Sequence, residues 1–149
     1  MIRKAKIKDV LFIQGLINKF AHADLMLARS LNELYENLRD FWVCEENDKL
    51  MGCCALHISW KDLAEIRSLA VEEKFREKGI GTALVKTCLR EAKELEVQNV
   101  FVLTYIPAYF KRFGFKKISH ERLPHKIWAE CINCPKFPHC NEIAMVKKI

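Results

Sequence analysis

Leu69-Ala-Val-Glu-Glu-Lys-Phe-Arg-Glu-Lys-Gly-Ile-Gly-Thr82 runs from an apolar strand end through a glycine-bearing turn into an amphipathic helix. Within it Arg76, Gly79 and Gly81 form the pattern RxxGxG. Glycines so placed let backbone N–H groups approach a ligand with no Cβ in the way. The helix opening there, expected over Gly79 to Glu94, aims its unpaired first-turn N–H groups and positive dipole end at an anion. A pyrophosphate fits that site.

On the C-terminal side, Ile80, Leu84, Val85, Cys88, Leu89, Ala92 and Leu95 make a helical apolar stripe, and Val97 to Leu103 is a nearly continuous apolar strand. Strand, helix, strand is a parallel crossover. Such units bind ligands outside the carboxyl ends of their strands, here near Val71 and Thr104. On the N-terminal side, Leu63 to Val71 reads as a strand. Period-two alternation puts Glu65, Arg67, Leu69 and Val71 on one face and Ile66, Ser68 and Ala70 on the other. A face that starts charged and ends apolar suits the mouth of a cleft; the alternative is a Glu65/Arg67 pair on a solvated sheet face.

Farther upstream, Phe41 to Glu45 and Leu50 to Trp60 form two strands joined by the polar turn Glu46-Asn-Asp-Lys49, an antiparallel hairpin. Ser30-Leu-Asn-Glu33 matches a capping box, so a short helix starts at Ser30 and runs to Leu38 with Leu31, Leu34, Tyr35 and Leu38 inward. Arg29 then precedes a helix N-terminus, where the local field is already positive, so it faces solvent or an anion such as a substrate carboxylate. Ile2 to Ile7 alternates as a half-exposed strand. Asp9 caps a helix carrying Val10, Ile13, Leu16, Ile17 and Phe20 on one face, and His22 and Asp24 read as its solvated end. Downstream, Pro107 opens a helix from Ala108 to Phe113 that stops at Gly114, and Phe115 to Ser119 and Glu142 to Lys147 are extended.

With 149 residues, half of them hydrophobic, the chain is long enough for one domain with a substantial core, so residues 1–149 are expected to form one. The net charge of +6 favours an acidic ligand, yet 25 Lys and Arg stand against 19 Asp and Glu with no long basic run. Nucleic acid therefore ranks last among partners. The Met1-Ile-Arg-Lys-Ala-Lys start has charge where a signal peptide would need its apolar core, and no apolar run reaches the ~18 residues of a membrane span. A cytoplasmic setting without membrane partners is expected. Among the seven cysteines, Cys44, Cys53, Cys54 and Cys88 lie in apolar segments as packed thiols. The Cys- and Pro-rich segment 120–141 holds Cys131, Cys134, Cys140 and His139, with His125 nearby. One CxxC and a single third cysteine are a weak zinc signal, and thiols in a proline-stiffened loop are the favoured reading.

The order of elements, RxxGxG after a strand and before a helix, and Ala108-Tyr-Phe-Lys-Arg-Phe-Gly-Phe115 resemble the GNAT superfamily of acetyl-CoA-dependent N-acetyltransferases. More narrowly, Arg29-Ser-Leu-Asn-Glu-Leu-Tyr-Glu-Asn-Leu-Arg-Asp-Phe41 and Ala64-Glu-Ile-Arg-Ser-Leu-Ala-Val71 look like the acetyltransferase domain of N-acetylglutamate synthase, here expected without an amino-acid-kinase portion. The resemblance implies an α/β fold with a mixed sheet of about six to seven strands, splayed at the CoA site and flanked by helices.

It also implies roles. Backbone N–H groups from about Glu77 to Thr82, through Lys78, Gly79, Ile80 and Gly81, hold the pyrophosphate of acetyl-CoA, with Arg76 among the cofactor contacts. The pantetheine arm runs along Leu69, Ala70 and Val71, where an N–H of Leu69 or Ala70 polarises the thioester carbonyl. Glu65 is the candidate base for the attacking amine. Many relatives protonate the departing thiolate with a tyrosine at the position of Phe110, which here is placed with the cofactor contacts. Tyr109, one residue away and turned by about 100° on a helix, is the candidate acid, with Tyr105 or water as substitutes. Expulsion as thiolate at pH 7 costs only about 2 kcal/mol for a thiol titrating near 8.5.

For a glutamate acceptor, Arg29 and Arg67 are the carboxylate partners. The expected activity is therefore acetylation of an amino-acid α-amine, L-glutamate first, as in arginine biosynthesis. Acetylation of another small amine or a protein amine, and a non-catalytic acyl-CoA-binding module, are the alternatives; a homodimer stays open.

Overall fold

The alternating strands and the stripe from Ile80 to Ala92 assemble into a seven-stranded sheet with helices on both faces. The computed structural model describes residues 1–23, 26, 28–122 and 142–149, so the cysteine cluster with His125 and His139, and Asp24, lie outside the described residues. Strands β1 (Ile2–Lys4), β2 (Phe41–Glu46), β3 (Lys49–Trp60), β4 (Leu63–Val71), β5 (Asn99–Thr104), β6 (Lys116–Lys117) and β7 (Ile143–Lys148) lie in the order β1-β2-β3-β4-β5-β7-β6. Every neighbouring pair is antiparallel except β4 and β5. Those two are joined through helix α3 (Ile80–Glu94), as the crossover pattern requires.

The stripe of α3 buries Leu84, Val85, Cys88 and Ala92 against Cys54, Leu56, Ile66, Val100 and Val102. Leu95, at its end, is exposed. Helix α1 (Val10–His22) packs Val10, Ile13, Leu16 and Ile17 on the other face, against Val43, Cys53 and Ala55. Helix α2 (Leu31–Glu36) adds only Leu34 to that layer; it ends before Leu38, and Leu31 and Tyr35 face solvent rather than the core. β5 is apolar from Val100 to Leu103 because both its faces are covered, Val100 and Val102 by the α3 layer and Phe101 by Leu63 and Ala144. Trp60, at the far end of the β3–β4 hairpin, is 56 % exposed and no part of the core.

Three local details correct the sequence reading. Asp9 does not cap α1: its buried carboxylate accepts from both terminal nitrogens of Arg3, at 2.8 and 3.2 Å, and from the Lys6 amide at 2.7 Å. An acidic side chain with a guanidinium in reach has a better partner than a helix N–H. The β2–β3 hairpin closes on two residues, Asn47 and Asp48, both with positive φ, which matches the twist of the flanking strands.

The third concerns β4. Two steps along β3, from Cys53 to Ala55, face three along β4, from Ala70 to Arg67, and Ser68 takes φ +57°. This bulge reverses the phase of alternation. Leu69 and Val71 therefore join Ile66 in the α3 layer, while Ala70 joins the α1 layer, so strict period two does not survive past Arg67.

Burial pushes the Cys53 thiol up to about 12, and its Sγ donates to the Ser68 carbonyl at 3.4 Å. Cys54 is raised by its hydrogen bond to Cys88 and by burial. Both, with Cys44 and Cys88, are free and buried, as the apolar context of each implies.

Candidate active site

The site exists because β4 and β5 part company. They pair only at Leu63–Asn99, Ala64–Val100 and Glu65–Phe101, and the ladder stops where β4 approaches its bulge. A parallel pair left open leaves strand-edge N–H and C=O groups facing the gap, a ready template for an extended ligand.

A cavity of about 580 Å³ occupies one end of this fork, lined by Leu69 and Val71, then Phe75, Arg76, Glu77, Gly79, Ile80, Gly81 and Thr82, and finally Ile106, Tyr109, Arg112 and Phe20. Its floor is the glycine turn. Gly79 takes φ +76° and Glu77 φ +69°, so the chain makes two left-handed steps before α3 begins, and only the first sits on a side chain. Gly81 has another reason to be glycine: a Cβ there would lie 3.1 Å from the Tyr109 hydroxyl. That hydroxyl is 3.5 Å from Thr82 Oγ1, at the first turn of α3. The Arg76 guanidinium lies 5.2 Å from the centre of the Phe20 ring, which fixes a cation at the rim.

A second cavity, about 200 Å³, shares Phe20, Leu69 and Ile106 with the first. Its remaining wall is Met26, Ile66, Arg67, Ser68, Val102, Leu103, Thr104, Tyr105, Phe110 and Glu142. Glu65 is buried at the apex of the fork, the last β4 residue paired with β5, and its Oε1 lies 3.6 Å from Arg67 Nη1.

Of the residues expected around the cofactor, Leu69, Val71, Arg76, Glu77, Gly79, Ile80, Gly81 and Thr82 line the larger cavity. Lys78 sits beside Phe75, 5.6 Å from its ring centre. Ala70 is turned to the α1 face by the bulge, and Phe110, 3 % exposed, lines the smaller cavity instead. Tyr109 lines the larger one, so the one-residue offset from Phe110 separates the two rings by cavity.

Arg67 stands at the smaller cavity, whereas Arg29 lines neither; its Nη1 is 3.2 Å from Glu33 Oε2. Burial would push the Glu33 carboxyl up, but the Arg29 hydrogen bond and charge and the Ser30 backbone outweigh it and hold it below the usual carboxylate range. Ser30 caps α2, with Glu33 N–H donating to Ser30 Oγ at 3.1 Å. Sequence reasoning missed Phe20, filed with the α1 core face, and Met26, Ile106 and Glu142. No spacing rule links positions so distant in the chain to one cavity.

A crossover that opens on RxxGxG and lets go of its neighbouring strand just before the turn belongs to one class of acyl-transferring fold, and a model of the acetyltransferase (GNAT) family matches residues 11–115. The chain belongs to that family of acetyl-CoA-dependent N-acetyltransferases. Its relatives narrow the class. An uncharacterized N-acetyltransferase of Chlorobaculum tepidum is 45% identical over 99% of this chain and 96% of its own length. An amino-acid acetyltransferase of Mycobacterium tuberculosis is 38% identical over 87% of this chain and 76% of its own.

Among solved structures, N-acetylglutamate synthase of Neisseria gonorrhoeae, complexed with coenzyme A and N-acetyl-glutamate, superposes with a TM-score of 0.90 at 25% identity. The match covers 99% of this chain and 34% of that one. No helix among the described residues is long and apolar enough to cross a membrane.

Proposed function

We propose that this acetyltransferase moves the acetyl group of acetyl-CoA to the α-amine of L-glutamate, a reaction of arginine biosynthesis. The observation that carries the reading is the pairing of cavities: a large one floored by a glycine turn meets a small one walled by the partly buried Arg67. The relatives' names, amino-acid acetyltransferase and N-acetylglutamate synthase, support the acceptor class.

In this reading the N–H groups from Glu77 to Thr82 hold the pyrophosphate at the start of α3. The pantetheine arm lies along the β4 edge at Leu69 to Val71, which β5 leaves unpaired. The bulge at Ser68 re-aims the next amide groups, and an N–H of Leu69 or Ala70 stabilises the oxyanion. Arg67 receives one acceptor carboxylate in the smaller cavity, and Arg29, released from Glu33, receives the other. Glu65 takes a proton from the ammonium group. Arg67 Nη1 lies 3.6 Å from Glu65 Oε1. The thiolate leaves into the larger cavity, where Tyr109 is the donor within reach.

Thiol release from acetyl-CoA against a panel of amino acids, polyamines and a peptide N-terminus tests the proposal. Turnover with glutamate, abolished by Arg67→Ala and strongly reduced by Arg29→Ala, is the expected result. Turnover only with polyamines or the peptide refutes it.

A further inference from the structure

Acetylation of an ammonium group releases a proton. As the C–N bond forms and the C–S bond breaks, the nitrogen loses two protons; one ends on the departing sulfur and the other must leave the site. If Glu65 is the base, as proposed above, that second proton is left on a carboxyl only 8 % exposed. It has to be shed before the next turnover.

The partner strand supplies a route. The β3–β4 ladder is regular from Ala55–Arg67 to Ile58–Ala64, and within it His57 stands directly opposite Glu65. Residues so paired project from the same face with Cβ atoms about 4.5–5.5 Å apart. His57 is in turn held from its far side: Nδ1 lies 2.7 Å from Asp40 Oδ2, on the short 3-10 turn Leu38–Asp40 that links α2 to β2. The side chains of His57 and Asp40 are 24 % and 22 % exposed, so the pair spans from the buried carboxyl toward solvent. An ionised aspartate can only accept, which makes Nδ1 the protonated nitrogen of the neutral ring and leaves Nε2 with a lone pair.

We propose that His57, oriented by Asp40, is a positioning residue that relays the Glu65 proton toward solvent. Nε2 takes the proton from the Glu65 carboxyl, directly or through one water, and the imidazolium that forms faces the Asp40 carboxylate until solvent removes the proton. Glu65 returns to its ionised state beside Arg67. No bond other than N–H and O–H changes in the relay, and no co-reactant is needed.

The test uses the full chain, acetyl-CoA and whichever amino acid of the panel turns over fastest. His57→Ala is expected to lower kcat about 100-fold, the lower end of what a positioned proton-transfer group contributes, with the acetyl-CoA KM unchanged and the rate recovered by added imidazole. His57→Gln, which fills the same space, should lose as much, ignore imidazole and show an enlarged solvent deuterium effect on kcat; it carries the test if the alanine variant does not fold. Asp40→Asn should cost less. Wild-type kcat in folded His57→Gln, while Glu65→Gln is inactive, overturns the relay and spares the base. A His57→Ala loss that imidazole leaves untouched also overturns it. An active Glu65→Gln removes the base and the relay together.

Discussion

The larger cavity takes most of its wall from one stretch, Leu69 to Thr82, while the smaller gathers side chains from α1, Met26, β4, β5, Tyr105 and Ile106, Phe110 of α4 (Pro107–Lys111) and Glu142. The first is built largely of backbone, glycine and a helix start; the second is built of side chains that meet only in three dimensions. A site for a constant ligand can be made from main-chain groups, whose geometry is fixed by a local turn. A site that must distinguish one amine from another needs side chains, because only they differ in charge and shape. The two should therefore fail separately when altered.

Four substitutions probe that separation, from the largest expected effect to the smallest. Glu65→Gln should lower kcat by about 10²–10⁴-fold, the range for a lost general base. CoA affinity, measured by calorimetry, should stay as it was; a parallel loss of CoA binding would merge the two regions into one.

Asp9 tests the scaffold beneath both, since its ion pair with Arg3 ties the start of α1 to β1. Asp9→Ala should cost about 3 kcal/mol at neutral pH, as breaking a buried pair does, read from the urea midpoint. Burial alone would raise the Asp9 pKa, but the Arg3 hydrogen bond, the Lys6 amide and nearby positive charge hold it below its ordinary 3.8. Its stabilisation is thus complete above that value and disappears as pH falls through the lower folded pKa. The variant's unfolding should accordingly depend less on pH in the acid range than the wild type's; equal slopes would contradict this account.

Gly79→Val places a β-branched residue at φ +76°. Strain of about 1–3 kcal/mol in the turn should weaken CoA binding roughly 10–100-fold, while kcat at saturating cofactor changes little. Ser30→Ala should remove about 1 kcal/mol with the cap of α2, lowering the thermal midpoint slightly. If Arg29 serves the acceptor, the KM for the amino acid should rise while that for acetyl-CoA holds.

Legibility in the sequence follows the same division. The glycine turn, the crossover and the stripe of α3 could be read in advance because each is a local pattern with a local cause. That the sheet opens at the cofactor site follows from the family resemblance, yet the device beside the opening does not. One extra residue at Ser68 carries no composition signal, being neither glycine nor proline, so the alternation drawn through Glu65, Arg67, Leu69 and Val71 ran straight past the reversal. Asp9 was misread because its competing partner, Arg3, comes from another strand-level contact rather than from helix-start spacing. Glu65 and Arg67 were singled out from a two-residue spacing, and they do meet. His57 drew no notice, since its significance depends on which β4 residue faces it, and that is a matter of register.

The short ladder between β4 and β5 also has a mechanical meaning. Among the described residues, three residue pairs, the crossover helix and the apolar side chains packed on the two faces join a four-strand plate, β1 to β4, to a three-strand plate, β5 to β7. A molecule lying in the opening would act as a rivet between the plates. Occupancy of the fork would then set the stiffness of the sheet as a whole, and an enzyme between turnovers would be a looser object than the same enzyme at work.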